Sequence, residues 1–437
     1  MSSTFQDSTQ LLGVEITRER LQFWGIRYGL SVLDQGLTSG AGFLLNLFLA
    51  RWLTSEAYGA FAVIFAILVF MSSFQNVLVL EPMTVLGPAR YSAEMTRYLQ
   101  GQLKVNAVVV VFLSGLILMA SRVMVALNTQ QPLVVATVSS AVAIPFLLLF
   151  WMVRRVCYVV QRPAIAVWAS GGYMAFTLAG LYLLHTTGWL DIGRAFLLVA
   201  AASMLAVLVP LRQLRLLETD ERAAYSWKSV VAENWNYGRW VMASAILYPL
   251  SNQAQTYLTA AMIGLGAAGI LRAMQIPAQV MTQIVIATAL LMLPAMSQEF
   301  GLGRTERLRK KALLSTFALT VMALVYALVL WMFAKPVEHI LFAGKFAAYA
   351  WLIPLLGLVP LFTAFGTGLS MGLRAAQKPQ LDLIANAVAA PIAILSAVVF
   401  IKLWGISGAA LSLVAGAAAM GAVLFWLFIR LSKPACP

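Results

Sequence analysis

Apolar residues run along this chain in long blocks separated by short polar or charged stretches. Between those punctuating signals the pattern predicts twelve membrane-length helices. They fall near residues 29–51, 58–80, 103–125, 132–152, 164–185, 191–211, 239–262, 269–294, 312–334, 350–372, 381–402 and 405–429. No run shows the ten-residue alternation of a porin-type barrel strand. The first 20 residues are polar and mixed in charge, so no signal peptide is expected. The first block is unusual for a bilayer helix. YGLSVLDQGLTSGAGFLLNLFLARWL, residues 28–53, carries Asp34, Gln35, Thr38, Ser39 and Asn46 within its apolar length. Buried polar groups cost free energy unless they are paired or wetted, so these residues require a reason.

Composition agrees with the pattern. The chain is 61% hydrophobic and 11% charged, whereas soluble domains sit near ~25% charged, which makes this an all-α integral membrane protein. With the N-terminus placed inside, the outer side holds only seven of the 30 Lys and Arg: Arg51, Arg122, Arg194, Arg272, Lys335, Lys345 and Lys402. That asymmetry puts both termini in the cytoplasm. The net charge of +14 is met by anionic lipid headgroups and calls for no nucleic acid. The two cysteines, Cys157 and Cys436, lie on segments placed at the cytoplasmic side, and they suggest neither a disulfide framework nor a metal site.

An internal repeat organises the helices. Tyr28-Gly29 recurs as Tyr237-Gly238 at an offset of 209, Tyr58-Gly59 aligns with Ala268-Gly269 at 210, and Pro82 aligns with Pro294 at 212. Both copies start inside, so the expected architecture is two parallel six-helix lobes, residues 28–212 and 237–430, related by an axis along the membrane normal. Residues 1–27 form a cytoplasmic N-terminal segment, 213–236 a polar cytoplasmic linker, and 431–437 a cytoplasmic tail. Transporters built this way hold their substrate between the lobes near the midplane.

The repeat suggests what the polar residues are for. Gln35, Thr38, Ser39, Gly42 and Asn46 share one face of the first helix. The seventh helix repeats that face with Ser244, Tyr248, Ser251, Asn252, Gln255 and Thr259, and the eighth adds Arg272, Gln275, Gln279 and Gln283. Matching polar faces on repeat-related helices suit a shared hydrophilic cavity lined by Gln35, Asn46, Asn252, Gln255, Arg272, Gln275 and Gln279. The plainer reading is helix–helix hydrogen bonding.

Individual charges carry similar alternatives. Asp34 is the one acid well inside a span: a proton or cation coupling site, or a partly buried interfacial acid paired with Arg27. Arg272 either holds a phosphate or snorkels as an outer anchor, and Arg51 reads as an anchor. Glu81 beside Pro82 marks a helix stop, or a gating contact. Arg154, Arg155 and Arg162 are explained by topology, with headgroup recruitment the sharper alternative. His185 and His339 stand alone near the outer surface. The longest outer loop, around 335–349, holds only Lys335, Glu338, His339 and Lys345 as ionisable groups.

The pattern YG-x-x-x-x-x-DQGLTSGAGFLLN-x-x-LAR-x-L-x-x-x-AYGAF, continuing to NVLVLEPMTV, together with RRVCYVVQRP and ENWNYGRW, resembles the polysaccharide-exporter, or O-antigen (Wzx-type) flippase, branch of the multidrug/oligosaccharidyl-lipid/polysaccharide (MOP) exporter superfamily. The likeness extends over nearly the whole chain. It implies a MATE-like two-lobed fold of twelve helices in the bacterial inner membrane, flipping a polyprenyl-diphosphate-linked glycan, with no cofactor. Membrane lipids and the polysaccharide polymerase and assembly proteins are the partners it implies. Asp34 is similar to the first-helix Asp of the related multidrug exporters, so a cation-coupled small-molecule exporter is the alternative. A membrane glycan polymerase or ligase needs a large outer catalytic loop, which the sequence lacks, and no phosphate-cradling P-loop appears.

Overall fold

The computed structural model describes residues 18–214, 216, 227–239, 242–376, 378 and 380–431, with the backbone alone over 18–28 and 243–252. The chain opens with α1 (Arg18–Trp52) and α2 (Ser55–Gln75), continues through a π-helical segment (Asn76–Leu80), and then forms α3 (Glu81–Arg90). There follow α4 (Met95–Ala126), α5 (Gln131–Val159), α6 (Pro163–Thr186), α7 (Ile192–Gln213) and the short α8 (Trp227–Gly238). The remainder is α9 (Met242–Met262), α10 (Leu265–Gly301), α11 (Thr305–Met332), α12 (Ala334–Phe342), α13 (Leu352–Ala375), α14 (Gln380–Trp404) and α15 (Ile406–Leu431). Helices satisfy their own backbone groups, which a lipid environment demands.

Among the described residues, ten helical stretches are long and apolar enough to cross a membrane. α1 and α9 are long enough too but fall outside that set. They are the two helices whose polar faces the sequence pattern singles out. The expected stop at Glu81–Pro82 does not occur: helix runs on through Pro88 as one stretch of 34 residues. The π-helical segment ends at Leu80, so Pro82 falls in the first turn of α3, where a missing N–H costs little.

The helices pack in a pattern that appears twice. α1 lies on α6 as α9 lies on α14, and α2 lies on α5 as α10 lies on α13. The pairs α4–α5, α5–α7 and α6–α7 recur as α11–α13, α13–α15 and α14–α15. Between the two sets, α2 packs on α10 and on α9, and α1 packs on α10. The α2–α10 crossing is backbone against backbone. A Cβ on Gly59 would stand 1.7 Å from the Leu265 carbonyl oxygen, and one on Gly269 would stand 2.3 Å from that of Ser55. Only glycine permits this approach. These two glycines are the pair aligned by the sequence repeat, and they meet each other in space.

The buried core divides into three parts. One cluster draws on both sets of helices: Leu49, Leu53, Tyr58 and Phe196 from the first, and Leu265, Met274, Phe346 and Leu356 from the second. A second cluster is built by the first set alone, around Met83, Tyr98, Phe150 and Tyr173. The third is built by α10, α11 and α13 to α15, around Met296, Leu319, Leu369 and Phe428. The shared cluster holds the C-terminal half of α1 and the beginnings of α2 and α10. The separate clusters lie at the opposite end of the bundle. Among the described residues the two sets of helices therefore share a core at one end, called here the joined end, and have separate cores at the other, called here the parted end.

Part of the polar stretch read as a linker is the helix α8, docked on the first set at the parted end. Tyr91 Oη donates to Glu233 at 2.7 Å. Gln102 and Asn234 exchange amide hydrogen bonds of 3.0 and 2.8 Å. Gly238 abuts the backbone of Val77 in the π-helical segment.

Candidate functional site

Two polar groups lie along α1, one toward each end of the bundle. The first centres on Asp34, which is fully buried. Arg154 of α5 donates from Nε to Asp34 Oδ2 at 2.8 Å, and its second arm reaches Gln35 Oε1 at 2.8 Å. Tyr158 and Ser170 also donate to the carboxylate, and Thr38 donates to Ser170 at 3.1 Å. This corrects the expectation of a partly buried acid; the pairing with Arg27 falls on a side chain outside the described residues. The carboxylate is wholly enclosed, and α5 supplies its counter-ion from 120 residues away. Arg154 is accordingly tied to Asp34 and Gln35 rather than extended toward headgroups. Arg155 and Arg162 remain exposed.

The second group lies at the α1–α2–α10 junction near the joined end. Asn46 is buried; it donates to the Gly42 carbonyl at 2.9 Å and accepts from Tyr58 Oη at 3.4 Å. Tyr58 is fully buried and close enough to feel the charge of Arg272. Arg272 is half-buried and reaches Gln275 Oε1 at 3.5 Å. Among the described residues no carboxylate forms an ion pair with it. A guanidinium with amide and phenol neighbours and no acid is suited to an oxyanion. Gln255 on α9 is buried, and its Oε1 has no hydrogen-bond partner among the described residues.

The remaining predicted positions distribute between these groups. Gln279 is half-buried and Gln283 exposed on α10, and Gln35 is exposed on α1. The polar face of α10 thus grows more open away from the joined end. Asn252 lies on α9 with its side chain outside the described residues, as do those of Ser244, Tyr248 and Ser251. Gln75 is fully buried within the first set, donating to Asn106 and to the Leu148 carbonyl at 2.7 Å each. His185 stacks on Trp52 with ring centroids 4.1 Å apart.

Several participants were not anticipated from sequence. Tyr58 joins the Arg272 group, and Tyr158 and Ser170 complete the Asp34 group. A further acid, Asp382 in the first turn of α14, accepts from Ser370 Oγ at 2.8 Å and lies 3.8 Å from Arg374 Nε. One sequence signal was present for it: Gln161-Arg162-Pro163 ahead of α6 reappears as Gln377-Lys378-Pro379 ahead of α14, at an offset of 216. That shift carries Arg154 onto Ser370 and Tyr158 onto Arg374, so the two acid–arginine contacts share the corresponding helices α5 and α13, while their acids lie on α1 and α14, which do not correspond.

These features define a multi-pass helical membrane protein whose two similar sets of helices enclose polar groups where they meet. No family model matches the sequence, and no curated protein does. Solved structures do. A multidrug resistance MATE family transporter of the MOP superfamily, in an inward-facing conformation, aligns over 93% of this chain and 100% of its own, with a TM-score of 0.73 at 11% identity. The lipid II flippase MurJ, in an inward closed conformation, aligns over 92% of this chain and 90% of its own, with a TM-score of 0.69 at 12% identity. The Vibrio cholerae MATE transporter VcmN, in its bent form, aligns over 93% and 98%, with a TM-score of 0.56 at 16% identity. The chain has the fold these transporters share.

Proposed function

We propose that this chain is a flippase of the polysaccharide-exporter branch, moving a lipid-diphosphate-linked oligosaccharide across the bacterial inner membrane by alternating access. One observation carries the reading. At the meeting of the two sets of helices, Arg272 on α10 has no acid partner among the described residues and reaches Gln275, while α1 and α2, on which α10 packs, carry the Asn46–Tyr58 contact. A diphosphate wants a forked cation, and sugar hydroxyls want amides. The likeness to a lipid II flippase supports a lipid-linked load of this kind.

In this reading the bundle is twelve crossing helices in two lobes, 28–212 and 237–430, with α1 and α9 crossing despite their polarity because that polarity faces the load. Both termini are cytoplasmic, since the basic loops gather at the parted end, which then faces the cytoplasm. Gln35, Gln279 and the deeper Asn46, Asn252, Gln255, Arg272 and Gln275 line the route. Asp34 is the coupling group: a cation bound at its carboxylate competes with Arg154, and a differential affinity of that kind biases one arrangement of the lobes over the other.

The rival reading is a cation-coupled small-molecule exporter, favoured by the buried acid on α1 and by the MATE neighbours. The two part at Arg272. In cells depleted of the flippase, Arg272→Ala should abolish surface glycan, and Arg272→Lys should restore part of it, because lysine keeps the charge but loses the bidentate fork. Full surface glycan with Arg272→Ala, or efflux of a cationic dye that rises with that change, would overturn the flippase reading.

A further inference from the structure

The segment between α11 and α13 folds into α12, a turn and a single 3-10 turn (Ala347–Tyr349). It belongs to the second set of helices, yet it reaches across the joined end to the last turn of α1. Lys345 Nζ donates to the Ala50 carbonyl at 2.6 Å and also to that of Leu53. Arg51 donates back to the Ile340 carbonyl of α12 at 3.4 Å. The last four carbonyls of a helix lack intrahelical partners and carry the negative end of its dipole, so a lysine there is well placed.

The loop is built to present that lysine. Glu338 is buried and accepts from the Phe346 backbone N–H at 2.8 Å, closing the turn from within. Ala343 takes a left-handed backbone, φ 57°, which is unfavourable for an alanine and persists only where surroundings enforce it. Lys345 Nζ then sits 4.8 Å from the centre of the Phe346 ring. Burial pushes the Lys345 pKa down, with Glu56 acting against it. The residue as a whole is still exposed, so water can replace the carbonyls when the contact parts.

We infer that the α12 turn is a latch of the joined end, in which Lys345 caps α1 across the two sets of helices and must let go before the load can leave on that side. The latch rests on the alternating-access reading given above. A cap whose two halves lie within one rigid body would serve stability alone. This one bridges two sets of helices that, among the described residues, share a core at this end only. Loss of a charge-assisted hydrogen bond that is partly exposed should change the ratio of open to closed joined ends about tenfold.

The test needs no glycan, so its failure is distinct from failure of the flippase reading. Cys157→Ser and Cys436→Ser give a background for spin labels in nanodiscs. One label pair, Gln130→Cys with Lys402→Cys, reports the joined end; another, Arg97→Cys with Arg309→Cys, reports the parted end. Lys345→Met should lengthen the first distance and shorten the second, with an about tenfold shift in population, while Lys345→Arg should leave both near the parent. Lys345→Gln should give an intermediate shift. Unchanged distributions in Lys345→Met would overturn the latch. Broadening at both pairs would make Lys345 a structural cap and overturn it as well.

Discussion

The Asp34–Arg154 pair makes an asymmetric prediction. Asp34 has no solvent exposure, and the Arg154 side chain is 16% exposed. Arg154→Met leaves a fully buried carboxylate with hydroxyl donors but no counter-ion, which should cost about 3–5 kcal/mol. Asp34→Asn leaves a guanidinium that still holds Gln35 and touches water, so its cost should be smaller, about 1–3 kcal/mol. The double variant removes both charges and should cost only about 1–2 kcal/mol. If the sites were independent, the double would cost the sum, roughly 4–8 kcal/mol. Unfolding by SDS titration in mixed micelles measures all four corners of the cycle. Additive costs, or a larger loss for Asp34→Asn than for Arg154→Met, would refute the reasoning. The result also decides how coupling is studied. Asp34→Asn alone confounds the lost carboxylate with an orphaned arginine, so gradient dependence of flipping belongs with the Asp34→Asn/Arg154→Met double. That variant should flip load in proteoliposomes at a rate indifferent to an imposed proton or sodium gradient.

Two further perturbations test the joint and the route. Gly59→Val places a Cβ inside the Leu265 carbonyl and should destabilise the protein by about 1–3 kcal/mol. By contrast, Gly36→Ala, where nothing meets an added Cβ, should be neutral or stabilising by up to about 1 kcal/mol; thermal unfolding distinguishes them. Among single-cysteine variants, Gln35→Cys and Gln279→Cys should react with a polar maleimide faster than Asn46→Cys or Gln255→Cys. Rapid reaction at Leu45→Cys in place of Gln35→Cys would mean the face of α1 has been read backwards.

What the sequence shows plainly is whatever repeats at helical spacing. The long apolar blocks mark the helices, and the polar faces of the first and seventh spans foretell that α1 and α9 differ from the rest. Gly59 and Gly269 were visible as aligned positions, but that they touch follows from the axis between the two sets of helices, which alignment alone does not give. Arg154 as the partner of Asp34 was hidden because the contact joins residues 120 apart, and local charge made Arg27 the natural choice. The turn in the second helix was misjudged for a different reason. The acid–proline pair reads as a helix stop, but Pro82 falls in the first turn of the helix that follows the π-helical segment, where a missing N–H costs little. Lys345 looked like one of several outer-loop charges, since nothing in the sequence around it shows which backbone it caps.

The division of the core has a consequence for leakage. A bundle that opened at both ends together would be a pore, and an aqueous pore discharges the ion gradients of the membrane around it. Where two bodies share one apolar cluster at a single end, that cluster is the electrical insulation of the resting protein. It excludes water by packing, with no gate residue needing to be charged or discharged. Reversing a preference of about 99 to 1 requires roughly 5.5 kcal/mol of differential binding, so an empty protein seldom breaks its own seal. Only a load or ion that binds more tightly to the other arrangement supplies the difference, and while it is bound it occupies the space that water would otherwise fill.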